Sequence, residues 1–357
     1  MKKLSVLSII CFLIQFACLK ASAQNGTIIA DSLYAKSLEK NITGENPERH
    51  LTIYLPPSYN NDNTRHYPVV YLLHGLGGDA SGWLSKDSTW DIGHLMNIGI
   101  RDKHFGEMII VMPGEETKWF GSFYVNSAAT GNWEDFTVSE LVNYVDKKYR
   151  TIANAQNRAI AGVSMGGYGA ITLAMKHPEV FSIVYGMSPA LIQFSKDISP
   201  ETPSFQNILR FTLTAKSPQD LLKGNIIAPA MLVLGRAFSP DPGDKVLFAD
   251  YPFKIENNRI VPSEPAYSNW EKNFPVEMVK TYRENLKKLK AIKFDVGFED
   301  EFQFIPVACK EFSDRLSAYD INHVFEEYNG AHANLVLGPS GRLINEVLPF
   351  IWFNFPK

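Results

Sequence analysis

The sequence predicts an α/β protein built on a mostly parallel sheet with helices on both faces. Two observations predict it. Short apolar runs of strand character alternate along the chain with segments of helical spacing, and one such run leads directly into a glycine-rich turn and then a helix. That turn lies between Arg158 and Ala170, contains Gly162-Val163-Ser164-Met165-Gly166, and is the stretch around which the chain is organised.

Taken in order, Leu51 to Leu55 reads as a strand closed by Pro56 and Pro57, and Tyr67 to Leu73 is a continuous Val/Leu/Tyr run of the kind a doubly covered strand needs. It opens into His74-Gly75-Leu76-Gly77-Gly78. Met108 to Met112 is the next strand, stopped by Pro113 and Gly114. From Trp119 to Trp133 the chain is an aromatic loop. Glu134 to Tyr149 then spaces Phe136, Val138, Leu141, Val142 and Val145 as one buried helical face. After the turn, an Ala/Leu/Met-rich segment is helical to about Lys176. Val180 to Met187 and Lys293 to Val296 are strands, Ile305 to Tyr319 a helix, His323 to Tyr328 a strand, and Leu343 to Phe353 a closing helix.

Residues 192–290 break this rhythm. The segment is rich in proline and aromatics, with Met231 to Leu234 as its one strand candidate, and it is too apolar for a disordered linker. It is expected to form a lid or pocket wall over the turn.

Residues 1–23 read as a secretory signal. Lys2 and Lys3 precede an apolar stretch from Leu4 to Leu19, and Ala21-Ser22-Ala23 makes an Ala-x-Ala cleavage site before Gln24. An apolar run of about 16 residues spans roughly 24 Å as a helix, short of the roughly 30 Å hydrocarbon layer, so stable membrane insertion is not expected. Cys18 has part of a lipoprotein cleavage pattern, but Gln15 stands where such a signal usually has leucine. The expected product, residues 24–357, is therefore periplasmic or extracellular. Losing Lys2, Lys3 and Lys20 with no acid leaves a formal net charge of −6, against −3 for the whole chain, which offers nothing to attract nucleic acid. Of the cysteines only Cys309 remains, so no internal disulfide is expected.

The turn carries the chemistry. In G-x-S-x-G between a strand and a helix, side chains two before and two after the serine would collide with neighbouring backbone, so glycines at 162 and 166 let the chain turn sharply enough to lift the Ser164 hydroxyl clear of the sheet. A serine hydroxyl needs a base, an acid to orient that base, and donors for an oxyanion. With this wiring the acid and base belong on loops after the last strands, in the order Ser, Asp/Glu, His. Asp300 lies in the loop beyond the strand ending at Val296, flanked by Glu299 as second choice and Glu301. Of the eight histidines only His332 follows a late strand within a small-residue loop. The amides of Met165 and Leu76 are the candidate oxyanion donors. Nothing in the sequence implies a metal or cofactor: there is no H-E-x-x-H, cysteine pair or phosphate loop.

Leu72-Leu73-His74-Gly75-Leu76-Gly77-Gly78 with Gly82 and Trp83, Phe123-Tyr124 before Trp133-Glu134, Ser164 to Ala170, His177-Pro178, and Gly297 to Asp300 together resemble the esterase D group of α/β hydrolases. That group includes tributyrin, feruloyl and acetyl xylan esterases, formylglutathione hydrolases and mycolyltransferase antigens. The resemblance covers roughly His50 to Ile192 and Ile292 to the end, and excludes the insertion. It implies an α/β-hydrolase fold with Ser164, Asp300 and His332 as nucleophile, acid and base, and His74, Tyr124 and Trp133 are candidates for the substrate pocket. Two departures, Met187-Ser188-Pro189 and Ala333-Asn334, imply a differently shaped acyl pocket. The expected activity is an exported serine carboxylesterase acting on a small ester or an acylated carbohydrate of acetyl or feruloyl type. An acyltransferase with the same triad is one alternative, and a non-catalytic carbohydrate-binding homologue is another.

Overall fold

The computed structural model describes residues 25–84, 90–224 and 226–357, and the expected export signal lies outside them. Eight strands form one sheet: β1 Thr27–Tyr34, β2 Glu48–Leu55, β3 Val69–Leu73, β4 Ile109–Pro113, β5 Arg158–Val163, β6 Ile183–Met187, β7 Ala291–Gly297 and β8 Val324–Tyr328. Their spatial order is β1-β2-β4-β3-β5-β6-β7-β8. β2 runs antiparallel to both neighbours, and every pairing from β4 to β8 is parallel. The fold is thus the mostly parallel α/β arrangement expected from the alternation.

The apolar runs are continuous because both faces of the sheet are covered. Along β3, Val69, Tyr71 and Leu73 pack into one core while Val70 and Leu72 pack into another, and β4 and β5 alternate in the same way. The first core is closed by the helical segment 133–148, whose middle (Phe136–Leu141) is π-helical, and by the helices Met165–Lys176 and Phe304–Ala318. Ile92–Arg101 and the C-terminal segment 343–354 close the second.

Among the elements that depart from the sequence expectation are β1 and Met231–Leu234. β1 is an edge strand whose polar and apolar residues carry no strong signal; it is held by eight register pairs with β2. Its Asp31 accepts hydrogen bonds from the hydroxyls of Tyr144 and Tyr149 and from Lys148 Nζ. Met231 to Leu234 is part of the helix Ile227–Phe238 rather than a strand. That helix is buried on nearly every side, so its short apolar run has no helical gap to betray it. Much of the insertion is helical, and Pro203, Pro218 and Pro275 each occupy the first turn of a helix, where a missing N–H costs nothing.

Candidate active site

The turn after β5 places Ser164 at φ 56° and ψ −118°, the left-handed side of backbone space that a non-glycine residue occupies only under constraint. The constraint is visible: the Ser164 amide donates to the Met187 carbonyl at 3.0 Å, and its carbonyl accepts from the amides of Tyr168 and Ala190, each at 3.0 Å. Both glycines are sterically required. A Cβ on Gly162 would lie 2.3 Å from the Gly166 carbonyl oxygen, and one on Gly166 would lie 2.3 Å from the Leu73 carbonyl oxygen.

The loops after β7 and β8 meet beside this turn. Nδ1 of His332 lies 2.7 Å from Oδ2 of Asp300, whose side chain is fully buried. Oδ1 of Asp300 accepts from the Phe302 amide at 2.8 Å, so both carboxylate oxygens have partners. Backbone bonds from Phe298 to the Tyr328 carbonyl and from Glu299 to the Gly330 carbonyl, both 3.0 Å, stitch the two loops together. Gly297 permits this approach, because a Cβ there would come within 2.1 Å of the Gly330 carbonyl oxygen.

Sequence reasoning names Glu301 only as a flank, yet its Oε2 accepts from the His332 amide at 3.0 Å and fixes the backbone that carries the imidazole. The Phe302 ring stands edge-on to that imidazole with centroids 4.9 Å apart. Asn334, part of one of the two departures from the resemblance, accepts from the Ala331 amide through Oδ1 at 3.0 Å. The only sequence signal for any of these was adjacency to Asp300 or His332.

The amides of Leu76 and Met165 make no hydrogen bond to other described residues, and Met165 opens its helix, where an intrahelical partner is impossible. The loop bearing Leu76 is pinned from below. Gly77 donates to the Phe120 carbonyl at 2.7 Å, and the His74 ring lies between Gly75 and Glu115. Because the Glu115 amide donates to His74 Nε2 at 2.9 Å, the ring proton must sit on Nδ1, which faces the Gly75 carbonyl at 2.9 Å. Burial lowers the pKa of His74, which fits this neutral tautomer.

His74, Tyr124 and Trp133 are not among the residues that border the cavity at Ser164, and His74 borders a neighbouring cleft with Leu76, Val163 and Asn334 instead. Tyr124 donates its hydroxyl to the His74 carbonyl at 2.8 Å, and Trp133 donates to the Thr130 carbonyl at 3.0 Å beneath the Arg49 guanidinium. Both polar tips are satisfied inside the core, so these rings buttress the loops from behind. Phe123, at φ 51°, faces the cavity instead.

That cavity has a volume of about 270 Å³ and is bordered by Gly75, Leu76, Ser164, Met165 and His332 on the sheet side. Residues of the insertion, among them Ile192, Phe205, Met231 and Trp270, form its far wall. The segment 192–290 therefore contributes the pocket wall expected of it. No hydrogen bond joins Ser164 Oγ to His332 among the described residues; the two side chains share the cavity. Catalytic bonds of this kind commonly tighten only with substrate in place.

A mostly parallel sheet with a serine held at positive φ between strand and helix, and a His–Asp pair on later loops, is the α/β-hydrolase architecture. The chain belongs to the esterase family whose model, "Putative esterase", matches residues 43–334. An esterase of Mycobacterium tuberculosis is 36% identical over 129 residues, 36% of this chain and 26% of that protein. An endo-1,4-beta-xylanase/feruloyl esterase of Xylanibacter ruminicola is 31% identical over 132 residues, 36% of this chain and 18% of that protein. The chain thus aligns with about a quarter or less of the length of these two relatives. The solved structure of a ferulic acid esterase superposes with a TM-score of 0.63 at 22% identity, over 93% of this chain and all of that one.

Proposed function

We propose that the protein is an exported serine carboxylesterase that cleaves acyl groups from carbohydrate through an acyl-enzyme on Ser164. The observation that carries this reading is the 2.7 Å contact between His332 and Asp300 at the rim of the cavity that holds Ser164. Ser164 Oγ attacks the ester carbonyl while Nε2 of His332 takes its proton, and the amides of Leu76 and Met165 receive the oxyanion. Collapse of the tetrahedral species breaks the bond to the alcohol, which leaves with the proton from His332. Water then attacks the acyl-enzyme with His332 again as base, releasing the carboxylic acid and restoring Ser164. Asp300 holds the imidazole in the tautomer that presents Nε2 and stabilises its charged form.

The export part rests on the signal pattern of residues 1–23, and the carbohydrate part on the feruloyl-esterase relative and on the cavity's outer mouth. There Asp197, Glu301 and Asn334 surround His332 with oxygens suited to accept hydrogen bonds from hydroxyls of a leaving alcohol. The test is hydrolysis of p-nitrophenyl butyrate together with labelling by a fluorophosphonate. The expected result is turnover by wild type, loss of turnover in Ser164→Ala, and a phosphonate adduct on the Ser164 peptide. Equal rates in the two proteins would overturn the reading.

A further inference from the structure

The wall built by the insertion carries information about the acyl group. Among the described side chains that border the cavity, Ser164 and His332 belong to the proposed triad, and the only other one with a nitrogen or oxygen atom is Trp270, whose indole N–H is already engaged by Ser239 Oγ at 2.8 Å. Everything else is aliphatic or aromatic, including Ile192, Ile198, Phe205, Ile227, Met231 and Leu234.

From this lining, and resting on the esterase reading above, we propose that the cavity is an acyl pocket for a medium-length aliphatic chain. A volume of about 270 Å³ is many times what a two-carbon acyl group needs and leaves room for a medium-length chain. An acetyl group would leave most of this apolar space unfilled, while each methylene buried there contributes about fourfold in binding. A feruloyl group fits less well for a different reason. Its phenolic hydroxyl would be carried into a wall whose described side chains offer no free donor or acceptor, and an unpaired buried hydroxyl is penalised. The pocket thereby separates aliphatic from hydroxylated aromatic acyl groups by chemistry as well as by size.

The experiment compares kcat/KM of the full chain for p-nitrophenyl acetate, butyrate and octanoate, and for methyl cinnamate against methyl ferulate, with Ser164→Ala as the blank. The expected result is a rise of at least about a hundredfold from acetate to octanoate, and cinnamate about tenfold ahead of ferulate. Ala230→Phe, which projects a ring from the helix Ile227–Phe238 into the cavity, is expected to lower the octanoate-to-acetate ratio at least tenfold. The ratio is read within one protein, so a smaller folded fraction cannot mimic the effect, and Ile198→Phe provides a second variant from another element. Ser164-dependent turnover with acetate equal to or above octanoate, or with ferulate above cinnamate, overturns the acyl-pocket assignment and leaves the esterase reading standing. Absence of Ser164-dependent turnover on every ester overturns the esterase reading itself and the pocket assignment with it.

Discussion

Oδ2 of Asp300 and Nδ1 of His332 meet at 2.7 Å although 32 residues separate them in the chain, and the Asp300 side chain is closed off from solvent. A buried carboxylate facing Nδ1 keeps the ring proton on that nitrogen and leaves Nε2 free to act as a base. Asp300→Asn substitutes an amide that can present N–H to the ring and reverse the tautomer. We expect kcat on a p-nitrophenyl ester to fall by about 10⁴-fold with KM little changed. Steady-state kinetics check this, and a loss smaller than tenfold would remove Asp300 from its role.

A second prediction concerns a residue that never reaches the cavity. His74 ties the Leu76 loop to Glu115 through one bond at each ring nitrogen. His74→Ala should free that loop and displace the Leu76 amide, lowering kcat by up to about 10²–10³-fold, the cost of one oxyanion donor. The same variant should leave phosphonate labelling of Ser164 detectable, which distinguishes a displaced donor from a lost nucleophile.

Glu115 gives a pH prediction. Its carboxyl is fully buried, one oxygen accepts from Thr137 Oγ1 at 2.7 Å, and the other has no partner among the described residues. Burial raises its pKa from 4.5 to about 8. Between those values the folded protein keeps a proton that the unfolded chain has released, so stability falls as pH rises, by at most about 1.4 kcal/mol per unit, and levels off above about 8. Glu115→Gln removes this slope. Urea titrations from pH 5 to 8 should show the variant gaining steadily on wild type, and parallel curves would refute the assignment.

His177 behaves in the opposite sense. Its Nε2 lies 2.8 Å from Oε1 of Glu134, a hydrogen bond that raises the imidazole pKa above its usual range. A raised histidine pKa stabilises fully below the unfolded value near 6.5, and the contribution is lost as pH climbs through the folded value. His177→Gln should therefore cost about 1 kcal/mol at pH 5.5 and much less at pH 8.5. Thermal melts at the two pH values measure the difference.

The turn itself predicts intolerance. Gly162→Ala would put a methyl group 2.3 Å from the Gly166 carbonyl oxygen, a backbone atom with nowhere to move. The expected cost is about 1–3 kcal/mol of stability, with loss of phosphonate labelling at Ser164 because the turn must open. A variant that folds and labels like wild type would show the glycine to be dispensable.

Much of the fold was legible because its signals are local. The apolar runs at Val69–Leu73 and Ile109–Pro113, the glycines around Ser164, and the helical spacing from Phe136 to Val145 each report physics acting within a few residues. β1 escaped notice because an edge strand with one wet face has little pattern of its own, and Met231–Leu234 misled because a wholly buried helix shows no period. The motif pairs Trp133-Glu134 and His177-Pro178 look unrelated along the chain, and their connection is the contact between Glu134 and His177.

By itself the sequence determined that a serine would stand on a strained strand-to-helix turn, and it singled out Asp300 and His332 by their places after late strands. It could do so because chain order along a parallel sheet dictates which loops share an end of that sheet. Tertiary structure alone decided that His74, Tyr124 and Trp133 would brace the loops from behind, that Glu301 would hold the His332 backbone, and that a helical insertion would wall the cavity with hydrocarbon. Which way a side chain faces, and which distant segment it meets, depend on packing between elements far apart in sequence, and no local pattern of residues records that.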